Sequence, residues 1–262
     1  FYIASETTAT EKDIYSVKLD GSAKVKISNK KGTWAADFSK GMNYYIGTFS
    51  DANTPYNMAI YDAQGKQVRV LESNAALADK MKEYAISPKE LFMFKTSEGI
   101  ELNAWMIKPQ NFDAAKKYPV FLTFYGGPGR NMVNNAFEGS GYFWHQMLAQ
   151  KGYIVVCVDN RGSQYRGVEF KKCTYKQLGK LEVADQIEAA KYFGSLPFVD
   201  KARIGTWGWS YGGYLSSLCI TKGADYFKTA IAVAPVTNWR YYDNIYTERF
   251  MSLPQELSLI HI

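Results

Sequence analysis

The sequence predicts an α/β sheet domain standing behind a run of antiparallel sheet. Three observations predict it. Residues 120–125 and 153–158 are near-continuous apolar runs, the pattern of strands buried on both faces. Helix-like periodicity alternates with those runs, over 142–151 and 181–194. Ahead of residue 88 the chain holds only short alternating segments cut by turn residues.

Taken in order, residues 1–4, 13–19, 24–27, 42–49, 57–62 and 67–71 read as strands, with turns at Asp20-Gly21 and Gly65. At this spacing, two four-stranded units over 1–74 look like consecutive blades of a β-propeller. Two blades cannot close a ring, so the chain is expected to be a piece with more blades ahead of Phe1. Residues 75–87 turn helical at Ala75-Ala76-Leu77-Ala78 and form a linker, which Ser87-Pro88 ends. The second domain is placed at 88–256.

Within it, 91–94 and 101–107 flank a turn at Glu98-Gly99 and predict a hairpin. In the helix over 181–194, Val183, Ile187 and Ala190 form one stripe, with Glu182, Asp185, Glu188 and Lys191 elsewhere. Residues 203–207 give a strand, and 229–234 another after an intervening helix over 214–220. Between them stands Gly208-Trp209-Ser210-Tyr211-Gly212, the nucleophile-elbow pattern of α/β-hydrolases. A serine on a strained strand-to-helix turn tolerates little bulk beside it, hence the flanking glycines. The helix behind it aims backbone N–H groups at an oxyanion.

Composition excludes other classes. The 262 residues carry a formal charge of +6 without any block of like charge, which argues against a nucleic-acid partner. No apolar run reaches membrane-spanning length. Twenty Tyr, 15 Phe and 6 Trp favour a sheet-rich or peptide-binding protein. Cys157, Cys173 and Cys219 lack metal-ligand spacing, and with only two histidines no metal site or cofactor is expected.

Acyl transfer needs a nucleophile, a base, an orienting acid and an oxyanion hole. Ser210 supplies the first. Tyr125-Gly126-Gly127-Pro128-Gly129 stands where lipases carry a glycine-rich oxyanion segment. There Tyr125 is either a hydroxyl donor or an ordinary strand-end aromatic, and the Tyr211 N–H would be the second donor. Neither histidine is assigned as base. His145 lies in a helix ahead of the serine, against the order Ser, Asp, His, and His261 is the penultimate residue.

Gly208 to Tyr214, Ala232-Val233-Ala234-Pro235-Val236, Trp239, Tyr241-Tyr242-Asp243 and Tyr246-Thr247-Glu248-Arg249 together resemble the prolyl oligopeptidase family of serine peptidases, in its dipeptidyl peptidase IV branch. Asp159-Asn160-Arg161-Gly162-Ser163 and the run from Leu178 to Gln186 fit the same branch. The resemblance implies an α/β-hydrolase domain, here its incomplete N-terminal half, preceded by the last antiparallel blades of a propeller. It implies release of N-terminal dipeptides with proline or alanine second. Carried over by position, Ser210 is the nucleophile, the Tyr125 hydroxyl and Tyr211 N–H bind the oxyanion, and Val236, Trp239, Tyr242 and Tyr246 line the pocket for the proline ring. It also implies a homodimer exported to the periplasm or cell surface.

The family's acidic grip on the substrate's amino terminus lies in blades ahead of Phe1, and its triad Asp and His lie beyond the end of this chain. The chain alone is therefore expected to be inactive. Leu257-Ser258-Leu259-Ile260-His261-Ile262 departs from the family and matches one reading frame of a sequencing-library adapter, so 257–262 is read as a non-native tail. A genomic locus encoding those six residues in continuity with Glu256 would sink that reading. Two other functions compete: a different hydrolase of the same fold (an acylaminoacyl peptidase or esterase), and a non-catalytic binding protein.

Overall fold

A computed structural model describes residues 1–253, and the chain divides into two compact units. Unit 1 comprises Phe1–Lys89 with Asn134–Gln146, and unit 2 comprises Glu90–Val133 with the chain from Met147 on.

Unit 1 is antiparallel sheet. β1 (Tyr2–Ala4), β2 (Asp13–Ser16) and β3 (Val25–Lys26) form one sheet in that order. β4 (Thr33–Phe38), β5 (Tyr44–Ser50), β6 (Asn57–Asp62) and β7 (Gln67–Glu72) form a second, four-stranded meander. Two four-stranded units were expected; the first sheet has three strands. β4 escaped the sequence reading because Ala35-Ala36-Asp37 dilutes its β character, yet it pairs with β5 from Thr33↔Ser50 to Phe38↔Tyr45. Alternation brings Trp34, Tyr45, Phe49, Ala59 and Tyr61 into one cluster with Ile14. Tyr45 and Tyr61 stack at 5.2 Å, and a Cβ on Gly47 would lie 2.7 Å from the Tyr61 ring, so the stack requires glycine there. α1 (Ala75–Lys82) follows, packing Met81 with Phe137 and Tyr142. The 134–146 segment is stitched to this unit by Asn135, whose Oδ1 accepts the Ala52 N–H at 2.9 Å while its Nδ2 donates to Glu11 at 2.8 Å.

Unit 2 is built on a six-stranded sheet. β8 (Lys89–Lys95), β9 (Glu101–Ile107), β10 (Tyr118–Thr123), β11 (Ile154–Asp159), β12 (Val199–Trp209) and β13 (Thr229–Val233) lie in the order β13-β12-β10-β11-β9-β8. β10, β11, β12 and β13 run parallel, and β9 meets β11 antiparallel. The exchange of β10 and β11 makes the chain cross over the sheet, leaving the β10 and β12 ends adjacent. Every residue of β11 is buried, since its alternate side chains enter two different cores. Ile154, Val156 and Val158 join the cluster under α4 (Lys180–Ser195) and α5 (Tyr211–Lys222). Val155 and Cys157 face Trp105, Ile107 and Ala149 on the opposite side, Ala149 coming from the end of α2 (Ser140–Gln150). Two-sided burial is the physical basis of the unbroken apolar runs. Three shorter elements went unread in the sequence: α3 (Val168–Lys172), a 3₁₀ turn at Trp239–Tyr241 and α6 (Asn244–Met251). Among the described residues no helix is long and apolar enough to cross a membrane.

Candidate active site

β12 carries the chain up to Ser210, and α5 begins on the next residue. Ser210 is half-buried with φ 57° and ψ −114°, a combination an L-residue adopts only under constraint. Two hydrogen bonds supply that constraint. The Ser210 N–H donates to the Val233 carbonyl at 2.9 Å, and the Ser210 carbonyl accepts the Tyr214 N–H at 3.0 Å. The glycines are dictated by neighbouring backbone. A Cβ on Gly208 would lie 2.3 Å from the Gly212 carbonyl, one on Gly212 2.5 Å from the Phe124 oxygen, and one on Gly213 2.7 Å from the Val233 oxygen. Strand, turn and helix are thus packed closer than any side chain permits.

β10 ends at Thr123, so Tyr125 lies in the loop after the strand rather than within it as the apolar run suggested. Its ring centroid lies 6.0 Å from that of Tyr211, and the Arg130 guanidinium sits 5.2 Å over its face. Gly127 fills the angle between the two tyrosines; a Cβ there would be 2.6 Å from one ring and 2.9 Å from the other.

A small pocket, about 170 Å³ including open solvent, is lined by Tyr125, Ser210, Tyr211, Val236, Trp239, Tyr242 and Tyr246, all seven of the residues picked out in the sequence. Two capped turns place its aromatic wall. Asn238 Oδ1 accepts the Arg240 N–H at 2.9 Å and opens the turn that carries buried Trp239. Asp243 Oδ1 accepts the Tyr246 N–H at 2.8 Å and starts α6. Trp239 and Tyr246 then stand parallel at 5.7 Å, with Tyr242 edge-on to both. Burial, then the neighbouring tyrosines Tyr125 and Tyr242, push the Tyr246 phenol well above its ordinary range. Among the described residues this lining holds no histidine and no carboxylate. His145 is elsewhere engaged: in unit 1 its Nδ1 lies 3.5 Å from Glu138, which also pairs with buried Lys89 at 2.9 Å. His261 and the tail at 257–262 lie outside the described residues.

The sequence reading missed the polar layer behind the site. Glu182, Asp185 and Gln186 of α4 were expected off the buried stripe or left unremarked, yet all three are 0% exposed. Glu182 Oε1 accepts the Tyr211 hydroxyl at 2.6 Å, and its Oε2 accepts the Gly179 N–H at 3.0 Å. Burial pushes the Glu182 carboxyl up to about 7. Asp185 grips Arg161 through Nε and Nη2, at 2.9 and 2.6 Å. Gln186 donates to Asn160 Oδ1 at 3.1 Å, and Asn160 Nδ2 donates to the Gly126 carbonyl at 3.0 Å, so α4 steadies the loop beside Tyr125. Asp159 accepts the Met132 and Val133 N–H groups at 2.8 and 3.0 Å, and burial raises it to about 7. The available signal was a cluster of polar residues, 182, 185 and 186, falling on the same turns of helix as Val183 and Ala190.

A serine held on a strained turn between a parallel strand and a helix, beside a glycine-rich loop, defines the α/β-hydrolase class. Comparison with known proteins narrows it. The model for the prolyl oligopeptidase family matches residues 141–259, and that for the dipeptidyl peptidase IV N-terminal region matches residues 1–56. A "Probable dipeptidyl-aminopeptidase B" of Trichophyton verrucosum is 40% identical over 260 residues, 97% of this chain and 29% of that protein. A "Probable dipeptidyl peptidase 4" of Emericella nidulans is 37% identical over 96% of this chain and 33% of its own length. The crystal structure of Porphyromonas gingivalis dipeptidyl peptidase 4 superposes with a TM-score of 0.95 at 45% identity, covering 99% of this chain and 37% of that one. The chain belongs to the prolyl oligopeptidase family, in its dipeptidyl peptidase IV branch. Unit 1 is propeller sheet and unit 2 carries the hydrolase sheet. The chain spans about a third of the length of the relatives it matches.

Proposed function

We propose that Ser210 is the nucleophile of a serine peptidase that releases N-terminal dipeptides with proline or alanine in second place. The observation that carries this is the meeting of a strained Ser210, Tyr125, Tyr211 and the aromatic residues Trp239, Tyr242 and Tyr246 in one pocket. Ser210 Oγ attacks the scissile carbonyl carbon while its proton passes to a base. The Tyr211 N–H and Tyr125 hydroxyl receive the negative oxygen of the tetrahedral intermediate. Collapse expels the amine of the remaining peptide and leaves a dipeptidyl ester on Ser210, which water then hydrolyses. Glu182 holds the Tyr211 ring from behind, and so fixes the residue whose N–H faces the oxyanion. Trp239, Tyr242 and Tyr246 offer an aromatic wall against which a flat apolar ring packs.

No base stands in the described lining, so the 262-residue chain is proposed to bind peptides without turning them over; base loss costs on the order of a millionfold in turnover. Hydrolysis of an Ala-Pro anilide by this polypeptide at peptidase rates would overturn that. A free against a blocked amino terminus on one peptide separates the dipeptidyl reading from an acylaminoacyl peptidase or esterase. Family likeness further supports a homodimer exported to the periplasm or cell surface. Sedimentation and cell fractionation test those two points; a monomeric cytosolic protein refutes them.

A further inference from the structure

We infer that a basic cleft beside the Ser210 pocket holds a carboxylate of the bound peptide, an inference that rests on the peptide reading above. The cleft, about 800 Å³ including open solvent, is bounded by Lys171 and Lys172 of α3, Tyr175, Pro128, and Arg249 and Phe250 of α6. Among the described residues three cations converge on it and no carboxylate lines it. None of the three forms an ion pair among the described residues.

Helix-end electrostatics accounts for part of this. Lys171 and Lys172 close α3, where cations complement the free carbonyls. That does not explain why Arg249, from a helix more than seventy residues later in the chain, lines the same hollow. The other large groove of unit 2 behaves as structural lysines do. There Lys191 pairs with Glu188 at 2.7 Å, Lys228 donates to the Ala224 and Asp225 carbonyls, and Asp225 itself lines the wall.

The cleft also shares its framework with the serine pocket. Tyr246, Arg249 and Phe250 fall at i, i+3 and i+4, hence on one face of α6. The Tyr246 ring meets Phe250 at 4.8 Å. Pro128 belongs to the loop that carries Tyr125, and the Lys171 stem closes on Gly129, where a Cβ would lie 3.3 Å away. A peptide seated on Tyr246 and the Tyr125 loop therefore lies beside three cations that lack an ion-pair partner among the described residues, although Arg249 also stands over the Phe250 ring; their chemical complement is an acidic side chain or a terminal carboxylate.

The test is direct binding to the 262-residue chain, by calorimetry, of Ala-Pro-Glu-Asp-Glu-amide and its neutral partner Ala-Pro-Gln-Asn-Gln-amide. The acidic peptide should bind more tightly. Exposed charge pairs each contribute roughly twofold to fivefold, so K171Q/K172Q/R249Q together should erase roughly tenfold or more of acidic-peptide affinity while leaving the neutral peptide unchanged. K116Q/K117Q/K201Q removes the same charge elsewhere and should change the ratio of the two affinities less than twofold. An acidic preference that survives the first triple variant, or falls equally in the second, overturns the cleft while the Ser210 pocket stands. Binding of inorganic phosphate through the same three cations, with neither peptide bound, overturns the peptide ligand and the peptide reading together.

Discussion

Replacing Glu182 by glutamine should flatten the pH dependence of stability in unit 2. Glu182 is fully buried and its carboxyl is raised to about 7 from 4.5. A carboxyl raised on folding adds stability fully present below its unfolded value and lost as pH climbs through its folded value. Between pH 5 and pH 8, linkage with these two values removes about 2.5 kcal/mol of stability. Glutamine carries no charge at either pH, so E182Q escapes this loss. It can still accept the Tyr211 hydroxyl through its one oxygen, but its amide nitrogen then faces the Gly179 N–H. That mismatch costs about 1–3 kcal/mol at every pH. E182Q should therefore be clearly less stable than wild type at pH 5, and the gap should close or reverse by pH 8. Urea unfolding followed by tryptophan fluorescence at a series of pH values reads the difference. Parallel curves for the two proteins would show that Glu182 does not titrate in this range and would refute the reasoning.

Three further outcomes follow from the elbow and the loop beside it. Ser210→Gly relieves the positive φ and should raise stability by about 1–3 kcal/mol, seen as a higher urea midpoint; an unchanged midpoint counts against strain at the turn. Gly212→Ala drives a Cβ to 2.5 Å from the Phe124 oxygen and should cost roughly 1–3 kcal/mol, whereas Gly99→Ala meets no atom within 4 Å and pays only for its φ of 79°. Equal losses measured for the two would mean that backbone crowding at the elbow is not limiting. In an active context, Tyr125→Phe should lower kcat about 10²–10³-fold with little change in KM, and a pure KM effect would remove Tyr125 from the oxyanion hole.

The centre of the unit 2 sheet was legible because β9, β10 and β11 are buried on both faces, which leaves little choice of residue and writes long apolar runs. The elbow was legible for a related reason: backbone contacts at Gly208, Gly212 and Gly213 forbid every other residue. β4 was not, because Ala35 and Asp37 face outward and carry no β signal of their own. The aromatic wall stood out by resemblance alone. Its turn and helix are short and begin at Asn238 and Asp243, caps that read locally as ordinary loop polarity. Glu182 and Asp185 were misplaced, and Gln186 went unremarked, because single-helix periodicity treats a polar residue as an outward one. Here each has a specific partner, Tyr211, Arg161 or Asn160, that only the tertiary fold supplies.

Ser210 and the six residues that line the pocket with it are proposed as the acylation site of a dipeptidyl peptidase. The most direct measurement replaces the matching 37% of Porphyromonas gingivalis dipeptidyl peptidase 4 with this chain and assays the folded chimaera on Ala-Pro and blocked Ala-Pro anilides. Release of the dipeptide from the free substrate alone, abolished by S210A on the order of a millionfold, is the predicted result. A folded chimaera that stays active with S210A, or that cleaves only the blocked substrate, would contradict the account.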